Sequence, residues 1–294
     1  MAEHEIFRGI IEKNIDNANV ILTGIPFDKN ASIGLGASLA PDHIRELSKM
    51  VPATSKDGFK IEGIRMFDNG NITDEDFDLM QKKAFNALNT GKFNLFLGGD
   101  HSVAIATERA FYDYAKSIDK NPVIIHLDAH PDICDIYEDN YYSHACPNRR
   151  SLDYGYKDKD LFIIGVRGFE EQEIDFFEKH PEIYVFNASN TRKLGAENLI
   201  NLLVAKYGDP NNLIYLSYDI DINDPAFAPG TGTPEPFGLD NNLVMEIIEG
   251  IFKNLNVRAF DIVEVAPPLD INDITSYLAI KAIYEALYIL SLKK

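Results

Sequence analysis

An α/β fold, in which the strands of a parallel sheet alternate with helices, is predicted by three features of this 294-residue chain. Short runs rich in Val, Ile, Leu and Phe recur from one end to the other. Most of their positions are apolar, without a polar residue at every second place, as strands buried on both faces should be. Stretches with helical spacing of apolar residues separate these runs. No low-complexity linker interrupts the alternation, so residues 1–294 are expected to form one domain.

The elements follow in order. Asn19–Ile25 is the first strand, and a helix over Pro41–Ser48 leads to a short second strand, Ile64–Phe67. A helix over Asp74–Leu88, with Asp74 at its N-cap, precedes the strand Phe93–Leu97. The helix Val103–Ser117 then leads to the strand Val123–Leu127. Strands Leu161–Val166 and Ile183–Phe186 flank the helix Glu170–Lys179, and Gly195–Lys206 leads into the strand Leu213–Ser217. The helix Asn241–Leu255, the strand Val257–Val263 and the helix Asp273–Leu292, with Asp273 at its N-cap, complete the pattern. Two long irregular stretches, Ile133–Cys146 and the Pro- and Gly-rich Asn223–Leu239, have the length of functional loops. The pattern is compatible with an open doubly wound sheet and with a closed eight-fold barrel; both place chemistry at the carboxyl ends of their strands.

Composition narrows the partners. With 28 Lys and Arg against 46 Asp and Glu, the net charge is −18, which argues against nucleic acid and anionic membrane surfaces. No apolar run approaches the ~18 residues of a membrane span, and the first residues lack the pattern of a signal peptide. A cytoplasmic protein is expected. Cys134 and Cys146 are the only cysteines, too few for a disulfide framework, and are expected as free thiols.

Three polar clusters fall where apolar runs stop: His101 in Gly-Gly-Asp-His-Ser, Asp128, His130 and Asp132 in Asp-Ala-His-Pro-Asp, and Asp219 with Asp221 in Ser-Tyr-Asp-Ile-Asp. At a strand end, residues at i, i+2 and i+4 share a face. Each cluster alone has a plainer reading, as a helix cap, a core histidine or a turn. Together, four carboxylates and two imidazoles are what two borderline-hard divalent ions such as Mn²⁺ require. Such ions turn water into hydroxide near neutral pH, which suits hydrolysis of an unreactive carbon. His144 is a candidate proton donor or shuttle. Glu264, ending the last strand, is placed to accept paired N–H bonds from a planar cation such as guanidinium. His4, His43, His126 and His180 read as structural or surface residues.

These motifs, with Asp-Pro-x-x-x-Pro-Gly-Thr-Gly-Thr-Pro-Glu-Pro after the third, resemble the arginase–agmatinase ureohydrolases from Gly24 to Glu264. The resemblance implies a three-layer α/β/α sandwich around an eight-stranded, mostly parallel sheet. It implies two Mn²⁺ ions. One is held by His101, Asp128, Asp132 and Asp219, the other by His130, Asp128, Asp219 and Asp221, with Asp128 and Asp219 bridging. It further implies that hydroxide attacks the guanidinium carbon, that Asp132 passes the proton to the leaving amine, and that His144 shuttles protons while Glu264 holds the guanidinium. Trimers or hexamers are common in the family, so a homo-oligomer is expected.

The residues between the ligands bear on the substrate. Arginases hold the arginine carboxylate with two asparagines, at positions that are Cys134 and Tyr142 here. A site unable to pair a buried carboxylate rejects it. Agmatine, which carries a distal ammonium instead, is the expected substrate, with Glu170 as the candidate acceptor of that ammonium. Gly34–Pro41 and Pro236-Phe237-Gly238 depart from the family's pattern and touch substrate identity more than reaction type. Rival readings are a hydrolase of guanidinobutyrate, arginine or another amidino compound, a non-catalytic guanidino-binding protein, and a single-zinc deacylase on the same fold.

Overall fold

A computed structural model describes residues 4–293. Its eight strands are β1 (Val20–Gly24), β2 (Met66–Asn71), β3 (Phe93–Leu97), β4 (Asn121–Leu127), β5 (Leu161–Val166), β6 (Tyr184–Asn187), β7 (Asn212–Asp219) and β8 (Val257–Val263). They form one open sheet in the order β2-β1-β3-β8-β7-β4-β5-β6, and every strand pairs with its neighbours in parallel. The barrel alternative falls away, and the sheet is parallel throughout.

The helices are α1 (Ala40–Ser48), α2 (Phe77–Leu88), α3 (Val103–Ser117), α4 (Pro147–Tyr154), α5 (Glu171–Lys179), α6 (Ala188–Tyr207), α7 (Asn241–Asn254) and α8 (Ile274–Leu292). They cover both faces, because successive strand side chains point opposite ways. Leu95, Leu97, Ile125, Leu127 and Leu216 pack with α1, α6, α7 and α8. Phe96, Tyr215 and Ala259 pack with α2 and α3 on the other side, and Ile124 and Ile163 with α5. Complete burial of β1, β3 and β5 explains their mostly apolar sequences, interrupted in β1 by Thr23 and in β3 by Asn94, whose Nδ2 donates to Lys92 O. No described helix is long and apolar enough to cross a membrane.

Four differences from the expected elements have local causes. Helix α2 starts at Phe77 because Asp76 is its cap, accepting from Leu79 N at 2.9 Å; Asp74 pairs with Lys83 instead. Asp273 stands at the N-cap of α8 but has left-handed backbone (φ 58°) and caps nothing; its carboxylate lies 2.8 Å from His43 Nε2. Asp270 takes the capping role, accepting from Thr275 N and Ser276 N. Helix α6 begins at Ala188, seven residues before Gly195, whose φ of 74° and ψ of 160° kink it. Helix α4, inside a stretch left unassigned by periodicity, is mostly polar but buries Arg150 among carbonyls.

The strand order positions the site. Strands β3, β8, β7 and β4 are consecutive neighbours at the centre of the sheet. Their carboxyl ends carry His101, Glu264, Asp219 with Asp221, and Asp128 with His130 and Asp132.

Candidate active site

Backbone geometry sets the ligands before their side chains meet. The turn after β3 needs Gly99: a Cβ there would lie 1.8 Å from Phe27 O, because Asp100 N donates to that carbonyl at 2.8 Å. This close approach delivers His101 to the start of α3. Asp132 (φ 52°) and Glu264 (φ 61°) both take left-handed backbone, which L-residues adopt at a cost usually tolerated where function requires it.

The six expected ligands converge. His101 Nδ1 lies 3.0 Å from Asp128 Oδ2, 3.0 Å from Asp132 Oδ2 and 3.1 Å from Asp219 Oδ2. His130 Nδ1 lies 3.1 Å from Asp221 Oδ2 and 3.5 Å from Asp128 Oδ1. Asp128 thus turns one oxygen toward each histidine. Asp219 directs Oδ2 to His101, while its Oδ1 accepts from Asp221 N at 2.8 Å. All are buried except His130, which is partly open.

Of the two readings given for His126, structural or surface, burial excludes the surface one, and its contacts bring it against the expected ligands. It is fully buried, its ring stacks on His101 at 4.7 Å, and its Nε2 lies 2.8 Å from Asp128 Oδ2. It falls within one metal-compatible group with His101, Asp128 and Asp132, while Asp128, His130 and Asp221 form a second. The signal was present in the chain: the two-residue alternation that joins Asp128 to His130 also puts His126 on their face.

Burial without counter-charge is unfavourable for this cluster. Burial and the neighbouring Asp221 and Asp128 push Asp219 well above the usual carboxylate range, and burial with Asp128 raises Asp221. Burial opposes charge on His101 and His130, yet the surrounding carboxylates hold both well above the ordinary histidine value. Burial also opposes charge on Asp128, but His126, His101 and His130 hold it well below. The centre therefore attracts positive charge. His101 Nδ1 and Asp128 Oδ2 are buried with no well-formed hydrogen bond. Orphaned donor atoms, four carboxylates and imidazole nitrogens facing one space fit divalent cations.

Beside this centre, His144 Nδ1 lies 3.4 Å from Glu264 Oε1 and its Nε2 lies 3.0 Å from Ser32 Oγ. Burial lowers the pKa of His144, but the Glu264 carboxylate outweighs it and pushes it up to about 9. Glu264 Oε1 also accepts from His101 N at 2.8 Å. A cavity of about 320 Å³ opens over the centre, walled in part by His130, Asp132, Asp219, His144 and Cys134. Exposed Glu170, partly exposed Glu235 and buried Glu173 also line it, with no Lys or Arg among the described lining residues. Glu264 lies beneath this wall rather than in it.

The two positions read as replacements for asparagines part company. Cys134 lines the cavity, with its thiol pushed up by burial. Tyr142 faces away, stacked on Phe77 at 4.8 Å in a separate cleft. Both cysteines are free and buried. Sequence reasoning also missed Ser32 and Glu173; Glu173 accepts from Ile133 N at 3.0 Å and Glu170 N at 2.9 Å, tying the metal loop to α5.

The sequence model of the arginase family matches residues 18–288. The chain is 32% identical to proclavaminate amidinohydrolase of Streptomyces clavuligerus, over 92% of this chain and 87% of that protein. It is 30% identical to an agmatinase of Bacillus anthracis, over 93% and 92% respectively. The solved structure of the agmatine ureohydrolase of Thermoplasma volcanium superposes with a TM-score of 0.84 at 30% identity, covering 98% of this chain and 94% of that one. On this agreement of sequence and fold, the protein belongs to the arginase family and is an agmatinase-like ureohydrolase, a hydrolase of guanidino C–N bonds.

Proposed function

We propose that the protein hydrolyses agmatine to urea and putrescine, using two Mn²⁺ ions. The observation that carries the substrate is the cavity wall, where the carboxylates of exposed Glu170 and partly exposed Glu235 stand without a cationic side chain among the described lining residues. A substrate tail ending in ammonium gains from that wall, and one ending in carboxylate is repelled. Relatives include a guanidinobutyrase of Pseudomonas aeruginosa, 31% identical, so the wall rather than overall similarity discriminates.

His101, Asp128, Asp132 and Asp219 would hold one ion, and His130, Asp128, Asp219 and Asp221 the other. When bound, the two ions supply the positive charge that makes water ionise near neutral pH. Glu264 accepts N–H bonds from the guanidinium, with its Oε2 facing Gly232 in the cavity wall. Asp132, through the oxygen other than the Oδ2 that faces His101, takes up the proton released as water adds to the guanidinium carbon and returns it to the departing amine. His144 passes a different proton to solvent, the one given up when the water first ionises, its ring held between Glu264 and Ser32. Glu170, exposed at the rim, receives the distal ammonium.

We place the protein in the cytoplasm as a homo-oligomer, a trimer or hexamer. Support for self-association comes from exposed Ile33, Leu35 and Leu39, on a segment that packs against the loop bearing exposed Leu269 and Ile271. Light scattering reads the assembly directly. The substrate is tested by urea release from agmatine, 4-guanidinobutyrate and arginine, using metal-stripped protein with Mn²⁺ restored or withheld. Agmatine should show the highest kcat/KM, and only with metal. A higher value for 4-guanidinobutyrate overturns the substrate. Tight agmatine binding without urea release would favour a non-catalytic binder, and one Zn²⁺ per chain a single-metal enzyme.

A further inference from the structure

Behind His101, away from the cavity, a chain of hydrogen bonds ends on a buried carboxylate unused by the chemistry above. Ser217 on β7 and Asp261 on β8 are paired across the sheet. His101 Nε2 lies 3.0 Å from Ser217 Oγ, and Ser217 Oγ donates to Asp261 Oδ1 at 2.8 Å. Tyr218 N donates to the same oxygen at 3.2 Å, and Tyr215 Oη donates to Asp261 Oδ2 at 2.5 Å. Thr107 Oγ1 stands 2.7 Å behind Tyr215 Oη. Every one of these side chains is buried.

The direction of these bonds follows from counting protons. A carboxylate only accepts, and a serine hydroxyl has one proton to give. Ser217 gives that proton to Asp261, so its oxygen is left to accept, and the partner in reach is His101 Nε2–H. The neutral imidazole then carries its proton on Nε2 and presents a lone pair at Nδ1. That is the atom surrounded by Asp128, Asp132 and Asp219. Were Ser217 free to donate to Nε2, the tautomer would reverse and Nδ1 would present a proton to the space a cation needs.

We propose that Asp261, acting through Ser217, is a positioning residue that holds His101 in the tautomer able to bind a metal ion. The proposal rests on the metal centre described above. Outer partners of this kind change metal affinity by roughly 10–100-fold.

The test is Mn²⁺ affinity and stoichiometry by chelator competition, with melting temperatures of metal-free and metal-loaded protein. Ser217→Ala and Asp261→Leu should weaken one of the two ions about 10–100-fold, spare the other, and leave metal-free melting of Ser217→Ala near that of the parent. Asp261→Asn keeps an oxygen that Tyr218 N and Ser217 can share, and should retain affinity within about threefold, a margin small beside the outer-partner effect. If Asp261→Leu fails to fold, Ser217→Ala and Asp261→Asn decide. Parent-like binding of both ions by Ser217→Ala overturns the proposal. So does equal weakening of both ions, or a metal-free melting loss as large as the metal-loaded one. Parent protein that binds no divalent ion fails the metal centre itself, and the relay with it.

Discussion

His144 and Glu264 control each other at a distance of 3.4 Å. Glu264 keeps the imidazole protonated up to about pH 9 against the pull of burial, so Glu264→Gln should release His144 toward its ordinary value. A pH profile of kcat/KM on agmatine reads this: the alkaline limb should move to lower pH and the plateau fall about 100-fold or more. An unmoved limb would mean that His144 does not carry the titrating proton. Glu170 acts at the other end of the substrate. Because it is exposed, its ion pair with an ammonium is worth at most about 1 kcal/mol, so Glu170→Gln should raise KM for agmatine roughly two- to fivefold with kcat unchanged. An unchanged KM removes Glu170 from the tail site. These residues differ in legibility. The metal ligands lie within short motifs whose spacing maps directly onto one strand face. Ser32 and Glu173 touch the site from distant segments, and no local spacing announces such contacts.

Elements show the same division. Strands β1, β3 and β5 were readable because burial on both faces favours apolar residues at nearly every position, Thr23 and Asn94 being the polar exceptions. Helix α4 was not, because its buried face is built on Arg150 and Asn148 bonded to loop carbonyls, which leaves no apolar period. The sheet order, which brings β3, β8, β7 and β4 together, comes from crossovers that no single segment encodes. Helix α3 holds a further consequence. Glu108 is fully buried on it, accepts from Ser151 Oγ at 2.5 Å, and is pushed by burial up to about 8. An unfolded glutamate titrates near its ordinary 4.5, so between these values the native state binds one proton more than the unfolded chain. Stability contributed by this group therefore falls as pH rises through that window. Glu108→Gln, a neutral isostere of the protonated form, should remove the slope. Its melting temperature relative to the parent should climb between pH 5 and pH 9, a range chosen to bracket the shift; a difference independent of pH would show that Glu108 is ionised throughout.

At the scale of the whole molecule, the charge of −18 surrounds an opening whose outer wall is itself acidic. Such a field raises the local concentration of cations and speeds their encounter, and salt screens it over about 10 Å at 0.1 M. Agmatine carries two positive charges at neutral pH, whereas 4-guanidinobutyrate is a zwitterion with none in balance. The field therefore distinguishes the two substrates before either reaches the metal ligands. Raising ionic strength from about 10 mM to 0.5 M should lower kcat/KM for agmatine several-fold while leaving kcat nearly constant. The same titration should change kcat/KM for 4-guanidinobutyrate much less. Neutralising the rim as Glu170→Gln together with Glu235→Gln should shrink the salt dependence for agmatine, because those two carboxylates line the cavity and are open to solvent. If agmatine turnover is insensitive to salt, the acidic surface serves solubility alone, and selection of the cation lies wholly in contacts made inside the cavity.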